Sequence, residues 1–164
     1  MKQKERSDLK NVTRYGAVQR KYQHVQLNKW RASRNDVKVG IEQLLSYGGI
    51  GRLQLQGSFL GEVPGLTNLP VARVAELLDM SKTTFYRAKD EPELDMGTVD
   101  RLSSLFKIYQ RGMEAFEGLE PFEEWLQSKI VNLGDQRPID LLMTESGRTA
   151  VLEAIDRVEY GVYG

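Results

Sequence analysis

The sequence contains no cysteine and only one histidine, His24, in 164 residues. The first absence removes disulfides and thiolate metal sites, and the second removes histidine-based triads and histidine-rich metal sites. No apolar run approaches the roughly 20 residues needed to cross a bilayer. No apolar segment near the N-terminus reads as a secretory signal. A soluble, cytoplasmic protein with no membrane partner is expected. Nor is there a glycine-rich phosphate loop ahead of a helix, a cluster of metal ligands, or a nucleophile–base pair. Glu123 and Glu124 are adjacent, so their carboxylates diverge on a helix and read as a solvated face. The expectation is a non-enzymatic chain with no cofactor, metal or small-molecule substrate.

The charge that is present is unevenly distributed. Residues 1–38 hold 11 Lys and Arg against 3 Asp and Glu, a balance of +8. Residues 39–89 come to +1, and residues 90–164, with 7 against 16, come to −9. A basic front and an acidic back suggest two unlike partners, one of them polyanionic. A basic tail is equally compatible with a solvated arm, and the two readings are not exclusive.

Residues 1–35 lack periodicity and read as a basic arm, although Tyr15, Tyr22 and Trp30 punctuate it. Asp36 is expected to cap a helix through Ser46, with Val37, Ile41, Leu44 and Leu45 as its apolar stripe, and Gly48-Gly49 stops it. Residues 50–68 are crowded with glycine and read as a loop, with a short strand over Leu53–Leu55 as the alternative. Pro70 then opens a helix bearing Val71, Val74, Ala75 and Leu78 at helical spacing. Ser81 caps a second helix to about Lys89. Asp95 caps a third with Val99, Leu102, Phe106, Tyr109 and Met113 on one face. From Pro121 a further stripe of Phe122, Trp125, Leu126 and Ile130 runs to Leu133-Gly134, where glycine suits a left-handed cap. Pro138 starts a short helix, Ile139–Leu142, and Thr144 caps a last one with Val151, Ile155 and Val158 inward. The fold class expected is all-α, in three parts: an arm over 1–35, a helix-turn-helix unit over 36–112, and a small helical domain over 113–164.

The run from Ala75 to Arg87 has the parts of a DNA-binding helix-turn-helix. Ala75 is small enough for close helix packing, and Leu78 and Met80 flank a tight turn. Ser81 caps the second helix and Phe85 anchors it. Ser81, Lys82, Thr83, Thr84, Tyr86 and Arg87 are then the candidate DNA contacts. The start of such a helix meets base edges and phosphates, and its dipole favours anions. An ordinary αα-hairpin within a bundle accounts for the same pattern, and Asp90, Glu91 and Glu93 lie close behind it.

Over residues 94–164 the sequence resembles the Xre/MbcA/ParS antitoxins in their C-terminal toxin-binding domain. The matching pieces are Asp100-Arg101-Leu102, Trp125-Leu126, Leu133-Gly134, and Pro138-Ile139-Asp140-Leu141-Leu142. They continue through Thr144-Glu145-Ser146-Gly147-Arg148, Val151, and Arg157-Val158-Glu159-Tyr160-Gly161-Val162-Tyr163. Ser81, Thr84, Phe85 and Arg87 resemble the Xre-like half of the same family. Asp135 departs from it, standing where a second glycine often follows Gly134, and residues 1–66 lie outside the likeness. The resemblance implies a homodimeric antitoxin encoded beside a toxin, usually a RES-domain enzyme that consumes NAD or transfers ADP-ribose from it. It further implies that the C-terminal helices and tail cover the toxin's pocket while the N-terminal half binds promoter DNA.

Under that resemblance the toxin-binding candidates are Arg148, Arg157, Glu159, Tyr160, Val162, Tyr163 and Gly164. The tail from Glu159 to Gly164 offers a glycine hinge, two aromatic rings and acidic groups, which suit an NAD pocket; a helix fraying at Gly161 is the plainer account. Arg148 and Arg157, nine apart, are taken to share one broad face of the last helix, meeting either toxin carboxylates or only Glu145 and Glu153. Trp125 is expected in the core. Gly147 in the first turn of a helix implies a close helix crossing or a partner's backbone. The alternative function is a stand-alone transcription regulator whose C-terminal part dimerises.

Overall fold

The computed structural model describes residues 35–159 and Gly161. The basic arm of residues 1–34, and Tyr160, Val162, Tyr163 and Gly164 of the tail, lie outside the described residues. Among those described, the elements are all helical: α1 Asn35–Ser46, a 3-10 turn Gly57–Gly61, α2 Val63–Thr67, α3 Val71–Leu77, α4 Lys82–Lys89, α5 Met96–Ala115, α6 Leu119–Gln127, a 3-10 turn Val131–Leu133, α7 Pro138–Leu141 and α8 Glu145–Glu159.

Helix α5 is the axis. Its 20 residues span about 30 Å, and its apolar positions Val99, Leu102, Phe106, Tyr109 and Met113 are all buried, as their spacing predicts. Asp95 accepts from the Thr98 amide at 3.0 Å and so caps it. Helices α1, α6 and α8 all pack on α5. Ser103 Oγ donates to the Leu44 carbonyl at 2.8 Å, and four residues further on Lys107 reaches the Tyr47 carbonyl. Helix α1 therefore lies parallel to α5. On the other side Arg111 pairs with Asp156 and Glu159, tying the end of α8 to α5.

Several local expectations shift. Helix α1 begins at Asn35, so Asp36 lies within it and does not precede it as a cap. Residues 50–68 form neither a simple loop nor a strand. Two backbone bonds, Leu94 N–H to the Leu55 carbonyl at 2.8 Å and Gly57 N–H to the Glu91 carbonyl at 3.1 Å, tie an extended stretch to the loop after α4. A 3-10 turn and α2 follow, burying Phe59, Leu60, Val63 and Leu66. Gly57 is required there, since a Cβ would stand 2.2 Å from the Ala88 carbonyl oxygen. Helix α6 ends at Gln127, before Ile130. Ser128 turns extended and Ile130 instead pairs antiparallel with Gln136. Gly134 does take the left-handed conformation, at φ 70°, and Asp135 adopts it too, at φ 57°.

The buried side chains form one continuous cluster from Ile41 to Ile155, drawn from every helix.

Candidate interfaces of the α3–α4 pair and the C-terminal helices

Helices α3 and α4 are joined by the turn Leu78–Ser81. Asp79 takes a left-handed conformation there (φ 57°), which Asp tolerates better than most residues. The Met80 amide donates back to the Ala75 carbonyl at 3.0 Å, closing the end of α3. Ala75 is buried, as close packing of the two helices requires. Ser81 accepts from the Thr84 amide at 3.0 Å and so caps α4. Phe85 is buried and holds α4 to the core, with Tyr86 edge-on beside it at 5.8 Å between centroids. Five of the six candidate DNA contacts, Ser81, Lys82, Thr83, Tyr86 and Arg87, are exposed and share the outer side of α4, while Thr84 is half-buried. Tyr86 is 50% exposed, a large ring left in solvent on that face. Of the neighbouring acids, Glu93 is paired with Arg52 at 2.8 Å; Asp90 and Glu91 remain exposed.

An arginine ties the C-terminal helices to this pair. Arg73 of α3 donates to the Asp140 carboxylate at 2.6 Å and to the Ile139 carbonyl at 3.2 Å. Arg137 grips the same carboxylate at 2.7 Å. Arg137 and Arg73, in that order of effect, hold the Asp140 carboxyl below its ordinary pKa against some desolvation. Thr67 and Asn68 add further bonds, from the Tyr109 hydroxyl to the Thr67 carbonyl at 3.2 Å and from Asn68 to Glu123 at 3.1 Å.

Thr144 caps α8 by accepting from the Gly147 amide at 3.0 Å. The requirement for Gly147 is internal: a Cβ there would sit 1.9 Å from the Leu141 carbonyl oxygen. A crossing of α8 over α7, not a partner's backbone, explains this glycine. Val151 and Ile155 are buried, while Val158 is only half-buried. Trp125 packs against the core yet keeps part of its surface, stacked near-parallel on Phe122 at 6.1 Å and tilted against Phe116 at 5.1 Å.

The toxin-binding candidates separate. Arg148 and Arg157 do not share a face: nine residues at about 100° each advance half a turn too far. Arg148 is half-buried and donates to the Leu142 carbonyl at 3.0 Å, whereas Arg157 is exposed. Glu159 pairs with Arg111. Hydrogen bonds that it donates to Glu159 and Asp156 hold the Arg111 guanidinium firmly charged. Tyr160, Val162, Tyr163 and Gly164 lie outside the described residues. Sequence reasoning missed Arg73, Arg101 and Arg111 as organisers. The partners that tie them to other parts of the fold lie 22 to 67 positions away, and no local pattern marks those pairs.

Residues 111–161 match the family profile described as the antitoxin Xre/MbcA/ParS C-terminal toxin-binding domain. That stretch takes in the end of α5, α6, the loop with the 3-10 turn Val131–Leu133, α7 and α8. No curated protein matches the chain. The class so defined is a non-enzymatic, toxin-binding domain of antitoxins. Over that third of its length the chain is similar to it, and an antitoxin role and a toxin partner are the functions this likeness supports. Among the described residues no helix is long and apolar enough to cross a membrane.

Proposed function

We propose that this chain is the antitoxin of a type II toxin–antitoxin pair. It neutralises a RES-domain toxin that consumes NAD or transfers ADP-ribose, and it binds its own promoter as a homodimer. The observation that carries the reading is the toxin-binding profile over residues 111–161. Inhibition falls to the C-terminal helices and the tail: Arg148, Arg157 and Glu159 on α8, then Tyr160, Val162, Tyr163 and Gly164, whose rings and acidic groups suit an NAD pocket. Promoter binding falls to α4, where a side-chain cap, a buried anchor and an outer face of Lys82, Thr83, Tyr86 and Arg87 fit a recognition helix laid in a major groove. Arg87 has the fork for a guanine edge; Lys82 and the threonine hydroxyls position the backbone.

The test is co-expression with the adjacent open reading frame. That frame alone is expected to arrest growth and deplete NAD, with both reversed by the full chain. A neighbour that is harmless, or whose toxicity this chain leaves intact, overturns the reading.

A further inference from the structure

Five large apolar side chains stand exposed among the described residues: Val39, Ile50, Tyr86, Val131 and Met143. Tyr86 lies on the outer face of α4, and Val39 and Ile50 lie on and just after α1. Val131 and Met143 fall within residues 111–161, the stretch that matches the toxin-binding profile. Both border α8: the 3-10 turn Val131–Leu133 packs against that helix, and Met143 joins α7 to the cap Thr144. Isolated apolar side chains are common on protein surfaces, but Val131 is held out by construction. Ile130 N–H donates to the Gln136 carbonyl at 3.1 Å, and the Leu133 and Asp135 amides donate to the Ile130 carbonyl at 3.0 and 3.1 Å. The Gly134 amide donates to the Val131 carbonyl at 2.9 Å. Gly134 and Asp135 take left-handed backbone there, at φ 70° and 57°. Leu133 is half-buried, whereas Val131 is 78% exposed. All four bonds are made by backbone, so a polar residue at 131 would close the turn equally well and leave less apolar surface in water.

We infer that Val131, together with Met143 ahead of α8, is an apolar docking point for the partner toxin. The inference rests on the antitoxin reading and deepens it, because neither residue belongs to the charged and aromatic set on α8 and the tail. The occupant follows from place and chemistry. The profile that takes in both residues is that of a toxin-binding domain. A side chain already fixed by its own turn surrenders little freedom on binding, so the burial of its apolar surface counts nearly in full. The partner surface that suits it is an apolar crevice. A nucleic acid fits poorly: neither side chain can bond a phosphate, and the exposed Asp135, which closes the same turn, would repel one.

Two variants of the full chain test this against the toxin from the adjacent frame, with affinity read by calorimetry at low and high salt. Val131→Thr keeps the shape of the side chain and adds a hydroxyl that an apolar crevice cannot satisfy, so toxin binding weakens about fivefold or more. The loss is the same at both salt concentrations, because no charge has changed. Met143→Gln weakens toxin binding about threefold or more. Both positions are exposed, so unfolding midpoints stay with the parent and promoter affinity stays within about twofold. Toxin affinity equal to the parent's in both variants overturns the docking point. A change in the chain's own oligomeric state by light scattering, with toxin affinity intact, overturns it as well and assigns the patch to a second copy. If the unaltered chain binds no toxin, the antitoxin reading fails and takes the docking point with it; if it binds and both variants bind as tightly, the docking point alone fails.

Discussion

Arg73 of α3 donates to Asp140 of α7 at 2.6 Å, across 67 residues of sequence, and this contact fixes the α3–α4 pair to the C-terminal helices. The Arg73 side chain is 23% exposed and that of Asp140 is 41% exposed, so solvent screens the pair in part. The second bond to the Ile139 carbonyl raises its value. Arg73→Ala is expected to lower stability by about 1–2 kcal/mol, as read by equilibrium urea unfolding; a loss of less than about 0.3 kcal/mol would mean that the contact does not fix the two parts.

Gly147→Ala places a methyl 1.9 Å from the Leu141 carbonyl oxygen, backbone against backbone. Neither α7 nor α8 can retreat without opening the core at Ile139 and Val151. A destabilisation of about 2–4 kcal/mol is expected, with loss of toxin binding as a consequence. Thermal unfolding checks it. A midpoint within a degree of the parent would show that the α7–α8 crossing is loose.

Acid should weaken the fold in a defined window. The Asp95 carboxyl is held below its ordinary pKa, first by the Thr98 hydroxyl and then by backbone amides, against some desolvation. Asp140 is held down by Arg137 and Arg73. For a carboxylate with a depressed folded-state pKa, the stabilisation is complete above the unfolded value of about 3.9 and is lost as pH falls through the folded one. Stability should be level from neutral pH to about 5 and fall below about 4. In Asp95→Asn the fall should be shallower, because asparagine still caps but no longer titrates. Denaturant midpoints taken across that range test the slope.

Ser81→Ala and Arg87→Ala should part company. The serine cap is structural, so its loss costs about 0.5–2 kcal/mol of stability. Arg87 is exposed, and its removal should leave unfolding unchanged while weakening promoter binding by about 1–3 kcal/mol if it reads a base. Gel-shift titrations at two salt concentrations separate base reading from phosphate attraction, which alone lowers the salt slope.

The helical class and most caps were legible because they depend on neighbours. Ser81, Asp95 and Thr144 each serve an amide three residues on, and the α5 stripe repeats at helical spacing. Residues 50–68 were not legible, because their conformation is set from outside, by the loop after α4 and by the Ala88 carbonyl against Gly57. Ile130 was misplaced for a related reason: its apolar side chain continues the α6 pattern, but the chain leaves the helix at Ser128 to pair Ile130 with Gln136. The exposure of Lys82, Thr83, Tyr86 and Arg87 on the outer face of α4 followed from the pattern, whereas Arg101, Arg73 and Arg111 act across distances that no local window spans. The placing of Arg148 and Arg157 on one face failed on helical arithmetic alone.

The division of the chain near residue 112 was expected to separate two modules, yet that residue lies inside α5, where Gly112 lets the Phe122 ring lie flush against the helix backbone. Severing the polypeptide there would bisect a rod and bare the strip on which α8 rests. An excised C-terminal piece would thus lack its own floor, and any inhibitor miniaturised from this scaffold has to keep α5 whole.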